Sequence, residues 1–220
     1  MLVLAGGVDP IYQTFESLWQ RYMRKCPEVD CYIYKGDPTL KEEYVLDDVS
    51  KVLYIRVDDS ITHTFEKMIK AFQFFEPQFE NYDFIFRTNL SSFLVLDRYV
   101  AYCRNQERER FCSAVIGYGG HIFPSGSGFT LTPDVVKYVI KNSRTDTQVI
   151  DDVALGKVLI QGNYRIRPAP RTDLLDMNVS PLCLTDPTIF HFRIKSNNRL
   201  YDTEVYERLV HYFFTNKECK

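Results

Sequence analysis

With 220 residues, 45% hydrophobic and 25% charged, the chain has the make-up of a globular protein of one large domain or two small ones. A net charge of −2 supplies no overall field for nucleic acid, and no segment approaches the roughly 20 apolar residues of a membrane span, so neither a nucleic-acid partner nor a transmembrane segment is expected. The cysteines (Cys26, Cys31, Cys103, Cys112, Cys183 and Cys219) form no CxxC and no zinc-spaced cluster with histidine; they read as reduced thiols, which predicts a cytoplasmic protein, or a soluble domain excised from a larger or anchored one.

Leu2–Ala5 is an apolar run ending in Gly6-Gly7 and predicts a first, buried strand. Tyr12–Arg24 carries Phe15, Leu18, Trp19 and Tyr22 at helical spacing, which predicts a helix with one apolar face on the sheet. Cys31–Tyr34 predicts a second strand closed by Lys35-Gly36-Asp37, and Val52–Val57 a third. Thr64–Phe75 shows a helical stripe of Phe65, Met68, Ile69 and Phe72, and Phe84–Phe86 follows as a fourth strand. This alternation implies βαβ units and a mostly parallel central sheet flanked by helices.

The second half is less regular. Phe111–Tyr118 and Gly128–Leu131 predict strands around a Gly-rich turn. Pro133 stands at the first position of a helix whose core face is Val135, Val136, Tyr138, Val139 and Ile140. Asp151–Ile160 predicts another helix, Tyr164–Ile166 a strand, Leu182–Pro187 a loop, Ile189–Ile194 a last strand and Asp202–Phe214 a closing helix. There are no repeats, low-complexity tracts or linkers, so a single domain over residues 1–220 is expected.

Four segments carry chemistry. The fourth strand ends in Arg87, Thr88 and Asn89, followed by Leu90, Ser91 and Ser92. A cation and small polar groups at a strand's carboxyl end suit a charged ligand, although Asn and Ser are also ordinary turn residues. Ser125-Gly126-Ser127-Gly128 is either a tight hairpin or a turn passing close under a sugar or base. Asp151 and Asp152 open a helix, where acids favour the dipole; alternatively one caps and the other projects into a cleft as a base. His191, Arg193 and Lys195 alternate along one strand face, as a solvated edge or a phosphate site would. The dinucleotide fingerprint fails at Ile122, Walker A is absent, and Ser127 fails the nucleophile elbow because position 125 is Ser.

In order and spacing these segments resemble the GT-A glycosyltransferases, most closely the beta-1,3-galactosyltransferase-like group. The counterparts of that family's motifs are Arg87-Thr-Asn-Leu-Ser91, Ser125-Gly-Ser-Gly-Phe129 and Asp151-Asp-Val-Ala-Leu-Gly156, with Lys67 on the preceding helix. The resemblance implies a GT-A (Rossmann-like) fold with a nucleotide-sugar-binding half over 1–90 and an acceptor and catalytic half over 91–220. It implies a UDP-sugar donor near Ala5, Gly6, Gly7, Val8, Asp37, Lys67, Arg87, Thr88, Asn89, Ser91, Gly126 and Ser127, and a glycan or glycoprotein acceptor. Asp152 matches the family's catalytic aspartate and Asp151 the acid before it.

One departure stands out. The family's metal-binding Asp-x-Asp is Asn89-Leu90-Ser91 here, and neutral oxygens hold Mn²⁺ or Mg²⁺ far less well than carboxylates. Three outcomes follow: a metal-independent transferase whose cations Lys67, Arg87, Arg193 and Lys195, with His191 on the same strand face, meet the diphosphate; a metal held mainly by donor phosphates; or a catalytically inactive nucleotide-sugar or glycan-binding module. An unrelated α/β domain that binds another phosphorylated metabolite is the remaining alternative.

Overall fold

The computed structural model describes residues 1–6, 10–144, 149–175 and 181–215. In chain order its elements are β1 (Leu2–Leu4), α1 (Pro10–Tyr22), β2 (Tyr32–Gly36), β3 (Tyr44–Asp47), β4 (Val52–Ile55), α2 (Thr64–Phe75), β5 (Ile85–Asn89), β6 (Ser92–Leu94) and α3 (Leu96–Arg104). Then follow β7 (Cys112–Tyr118), β8 (Ile122–Leu131), α4 (Pro133–Asn142), α5 (Asp151–Gln161), β9 (Ile166–Pro168), β10 (Thr172–Leu174), α6 (Pro181–Thr185), β11 (His191–Ile194) and α7 (Arg199–Val210). The class is α/β, with a large central sheet flanked by helices, as expected. Two compact units divide the chain: Met1–Gly7, Tyr32–Asn89 and Gln106–Ala169 form the first, and Val8–Cys31, Leu90–Asn105 and Pro170–Lys220 the second.

The first unit holds an eight-stranded sheet in the order β3-β4-β2-β1-β5-β8-β7-β9. β4, β2, β1 and β5 run parallel, whereas β3, β8 and β7 pair antiparallel, so the sheet is mixed beyond its parallel centre. Strands at the centre of such a sheet are covered on both faces, which is why Leu2-Val3 and Ile33-Tyr34 are continuous apolar runs that are fully buried. On one face lie Leu2, Tyr34, Leu53, Ile85, Phe129 and Leu131, packed with Phe65, Met68 and Phe72 of α2, Val135 and Val139 of α4, and Leu155 and Leu159 of α5. The stripe that predicted the helix over Thr64–Phe75 is this buried face.

The strand order turns at β1. The chain passes from β1 to β2 and β4 on one side, then to β5 on the other. Such a reversal opens a crevice at the carboxyl ends of the adjoining strands, here Ala5-Gly6 after β1 and Asn89 at the end of β5.

Two segments run differently from expectation. The fourth strand, expected over Phe84–Phe86, runs from Ile85 to Asn89, so Arg87, Thr88 and Asn89 at its end lie within β5. β8 begins at Ile122 rather than Gly128. Its register explains why: Ala114 pairs with Phe129 and Ile116 with Pro124, so residues 125–128 of β8 oppose Val115 alone. The Ser-Gly-Ser-Gly run is therefore a wide bulge inside a long strand, and not a hairpin turn.

The second unit holds a three-stranded sheet, β10-β11-β6. Its core is aromatic. Tyr22 of α1 stacks on Trp19 at 5.0 Å, meets Phe93 of β6 at 5.1 Å and shares a hydroxyl hydrogen bond of 3.1 Å with Tyr206 of α7. The apolar face of α1 thus finds its ring contacts on β6 and α7. Residues 182–187, expected as a loop, begin within α6, and the closing helix starts at Arg199 and ends in a π-helical turn, His211–Thr215.

Candidate active site

In the first unit, the residues that carry chemistry gather at the carboxyl ends of β1, β2, β4 and β5. Arg87 is the centre of one group. Its parity along β5 matches that of Ile85, so its side chain projects onto the face covered by α5. There the buried guanidinium donates to the Tyr34 hydroxyl at 3.0 Å, to the Gly126 carbonyl at 2.5 Å and to the Asp151 carboxylate at the start of α5. The Phe129 ring lies 5.7 Å from its Cζ. Burial pulls the Arg87 pKa down, but the Asp151 charge, Tyr34 and the Asp152 charge outweigh it and hold the group above its ordinary value. The Tyr34 pKa is raised as well: burial lifts it, and Arg87 offsets only part of that rise.

Gly126, at the crest of the β8 bulge, joins this group to the next. Its carbonyl accepts from Arg87 and from the Asn89 side-chain amide at 3.3 Å, while its N–H donates to Asp152 Oδ2 at 3.1 Å. A Cβ at this position would stand 3.2 Å from that carboxylate and 3.4 Å from Arg87 Nη1. The bulge therefore brings bare backbone against two charged side chains. Asp152 Oδ1 accepts from the Val153 N–H at 2.8 Å, a contact of the first helical turn. The two acids of α5 thus differ: Asp151 pairs with the buried guanidinium, and Asp152 accepts from the backbone amides of Gly126 and Val153.

A second group lies at the ends of β1, β2 and β4. Lys67, buried in α2, donates to Asp59 Oδ1 at 2.7 Å, and the Gly36 N–H donates to the same oxygen at 3.0 Å. Gly6 has a φ of 148°, and a Cβ there would approach Asp59 Oδ1 to 2.6 Å. Asp59 therefore ties the end of β2 to α2, with Gly6 packed closely against its carboxylate. The sequence reading missed it, although Asp58-Asp59 directly follows the third strand. Asp37 is half-buried and accepts from Thr39 Oγ1 at 2.6 Å and Thr39 N–H at 2.9 Å; these bonds, the hydroxyl first, hold its carboxyl below the usual range. Its observed work is to shape a turn.

Of the other expected donor residues, Ala5 is buried and its N–H donates to the Tyr34 carbonyl at 2.9 Å. Thr88 Oγ1 donates to the Ser127 carbonyl at 2.5 Å, and the Ser127 hydroxyl lies 3.1 Å from that of Ser125. Gly7 and Val8 lie outside the described residues.

Ser91, His191, Arg193 and Lys195 belong to the second unit. His191 is buried, with Nε2 3.1 Å from the Ser92 hydroxyl; burial, then Arg171 and Arg193, push its pKa down to about 3, so it offers a phosphate no charge at neutral pH. Arg193 lies 3.7 Å from Asp173, which Arg171 also engages through Nε at 2.5 Å and Nη2 at 3.0 Å. Lys195 follows β11 and is exposed. Ser91 accepts a hydrogen bond from Arg199, a residue that sequence reasoning did not single out.

A divalent metal does not suit this donor set. Among the described residues no group of three or more His, Cys, Asp or Glu side chains is placed to hold one. Asn89 turns its amide N–H toward a carbonyl, and Ser91 Oγ faces a guanidinium. Among the described residues, no helix is long and apolar enough to cross a membrane.

No family model matches the sequence. No curated protein matches it either. Among solved structures the fold is similar to the crystal structure of a glycosyltransferase involved in the glycosylation of the major capsid of PBCV-1, with a TM-score of 0.53 and 9% sequence identity over 94% of this chain and 98% of that one. At that identity the likeness shows the fold alone, a Rossmann-like α/β architecture shared with that structure. It does not extend to the galactosyltransferase-like group or to an Asp-x-Asp motif.

Proposed function

We propose that the chain is a glycosyltransferase that moves a sugar from a UDP-sugar to a hydroxyl of a glycan or glycoprotein, with inversion at the anomeric carbon. The observation that carries this reading is the division of labour between two adjacent acids. Asp151 neutralises the buried Arg87, while Asp152 is presented beside the side-chain-free backbone of Gly126. The glycosyltransferase fold of the PBCV-1 neighbour supports a sugar as the substrate class.

In the proposed step the acceptor oxygen attacks the anomeric carbon as its proton passes to an Asp152 carboxylate oxygen. The bond from that carbon to the diphosphate oxygen breaks, and its electron pair leaves with UDP. Ala5, Gly6, Gly36 and Asp37, at the ends of β1 and β2, are the proposed seat of the nucleoside. Lys67 is matched by Asp59 and Arg87 by Asp151, so these two organise the strand ends more than they add net positive charge. No step is routed through a metal, because the residues at positions 89 and 91 do not fit one.

Asp152→Asn tests the proposal. Donor affinity should persist while turnover falls by about 10²–10⁴-fold, the usual contribution of a positioned base. Turnover at the wild-type rate removes Asp152 from that role. Tight UDP binding with no sugar release, at any metal concentration, favours the inactive binding module instead.

A further inference from the structure

A cavity of about 450 Å³ opens among α2, α4 and α5, within the first unit, and shares no lining residue with the Arg87 and Asp59 groups. Its α5 wall is Ala154, Lys157, Val158 and Gln161, spaced i, i+3, i+4 and i+7, so the four lie on one face of the helix. Ala154 and Val158 are buried, as is Phe65 of α2, and Val149 packs half-buried with them; together they make an apolar floor. α4 ends at Asn142 and the backbone turns extended at Ser143, so α4 adds no further turn over this floor. The Asn142 amide is tied back to the Tyr138 carbonyl at 2.8 Å.

The rim is cationic. Arg144 and Lys157 reach it from different segments; both are exposed, and neither pairs with a carboxylate among the described residues. The Gln161 amide makes no hydrogen bond there either. Ser143, between two lining residues in the chain, has a buried hydroxyl with no partner among the described residues, where buried polar atoms nearly always find one. In a chain of net charge −2 this positive rim is a local feature. The volume falls in the range of about 300–1,000 Å³ typical of small-molecule sites, which combine an apolar lining with a few convergent polar groups. An apolar body gains by leaving water for the floor, and an anionic head gains charge-assisted hydrogen bonds from the rim. We infer that this cavity binds an amphipathic organic anion. Its acyl or aromatic body lies on Phe65, Ala154 and Val158, and its one carboxylate or phosphate head meets Lys157 and Arg144. The inference stands apart from the nucleotide-sugar reading and needs no residue of it.

Calorimetric titration of the full chain with octanoate and with octyl phosphate tests this, with octanamide as the uncharged control and inorganic phosphate as the control without a tail. At least one octyl anion should bind about tenfold or more tighter than both controls, and the tighter of the two identifies the head as carboxylate or phosphate. Arg144→Gln/Lys157→Gln should weaken that binding by about tenfold or more; both positions are exposed, so the fold should persist, which circular dichroism checks. Ala154→Leu, which narrows the floor and keeps both charges, should weaken it as well. Saturating UDP and Asp152→Asn should leave it unchanged. Octanamide binding as tightly as octanoate, wild-type affinity in the double charge variant, displacement by UDP, or no binding of either octyl anion overturns the proposal.

Discussion

Replacing Arg87 by Met tests whether the strand-end architecture depends on a buried charge. The substitution deletes a guanidinium whose side chain is 1% exposed and strands the Asp151 carboxylate, 14% exposed, with no matching cation. It also removes a donor from the Gly126 carbonyl and from the Tyr34 hydroxyl. Breaking a buried ion pair from one side costs about 3–5 kcal/mol, mostly as the penalty of the orphaned partner. For a chain of this size that corresponds to a fall in Tm of about 6–20 °C. Asp151→Leu should cost a similar amount by stranding Arg87. The double substitution removes both charges and should lose clearly less than the two single effects combined, with a coupling of about 2 kcal/mol or more. Urea unfolding of the four proteins, read by both fluorescence and circular dichroism, gives the cycle. A single-variant loss below about 1 kcal/mol, or strict additivity, would refute the view that Arg87 and Asp151 act as one buried unit.

Two further outcomes are expected. His191 takes up a proton at about pH 3 when folded and near its ordinary 6.5 when unfolded, so its contribution to stability is complete above about pH 6.5 and is lost as the pH falls through that window. Wild type should therefore lose up to about 1.4 kcal/mol per pH unit more than His191→Asn between pH 6 and 4, and parallel urea profiles would contradict the buried, neutral imidazole. Gly156→Ala would place its Cβ 2.6 Å from Phe123 Cβ and 2.8 Å from the Ile122 carbonyl, so the backbone of the β7–β8 hairpin must shift. A loss of about 1–3 kcal/mol is expected by calorimetry, and a neutral substitution would show that α5 does not clamp the hairpin.

Much of the first unit could be read in the sequence because its signals are local. Phe65, Met68, Ile69 and Phe72 mark α2 to the residue, and Pro133 marks the start of α4. Asp151 and Asp152 open α5 where the pair of acids placed them. β3 escaped notice because it is an edge strand with no fully buried residue, so Tyr44–Asp47 lacks the alternation that a covered face imposes. The extent of β8 was hidden by its own glycines and serines, which look like a turn and serve as a bulge. β6 and α3 were missed for a different reason: Phe93 and Tyr99 bury against residues far away in sequence, such as Tyr206 and Phe190. The site divided in the same way. Arg87, Asp152 and Gly126 could be named from short motifs, whereas Asp59 owes its position to strand register.

The interleaving of the two units has a consequence for biosynthesis. Each is assembled from three separate stretches, and the closing stretch of the first runs to Ala169 while that of the second lies beyond it. During vectorial translation, the aromatic face of α1 emerges early and must wait for Tyr206 before its hydroxyl partner exists. A nascent chain halted between those points exposes Phe15, Trp19 and Tyr22 to water, which makes late ribosomal stalling the stage at which chaperone capture of this polypeptide should peak.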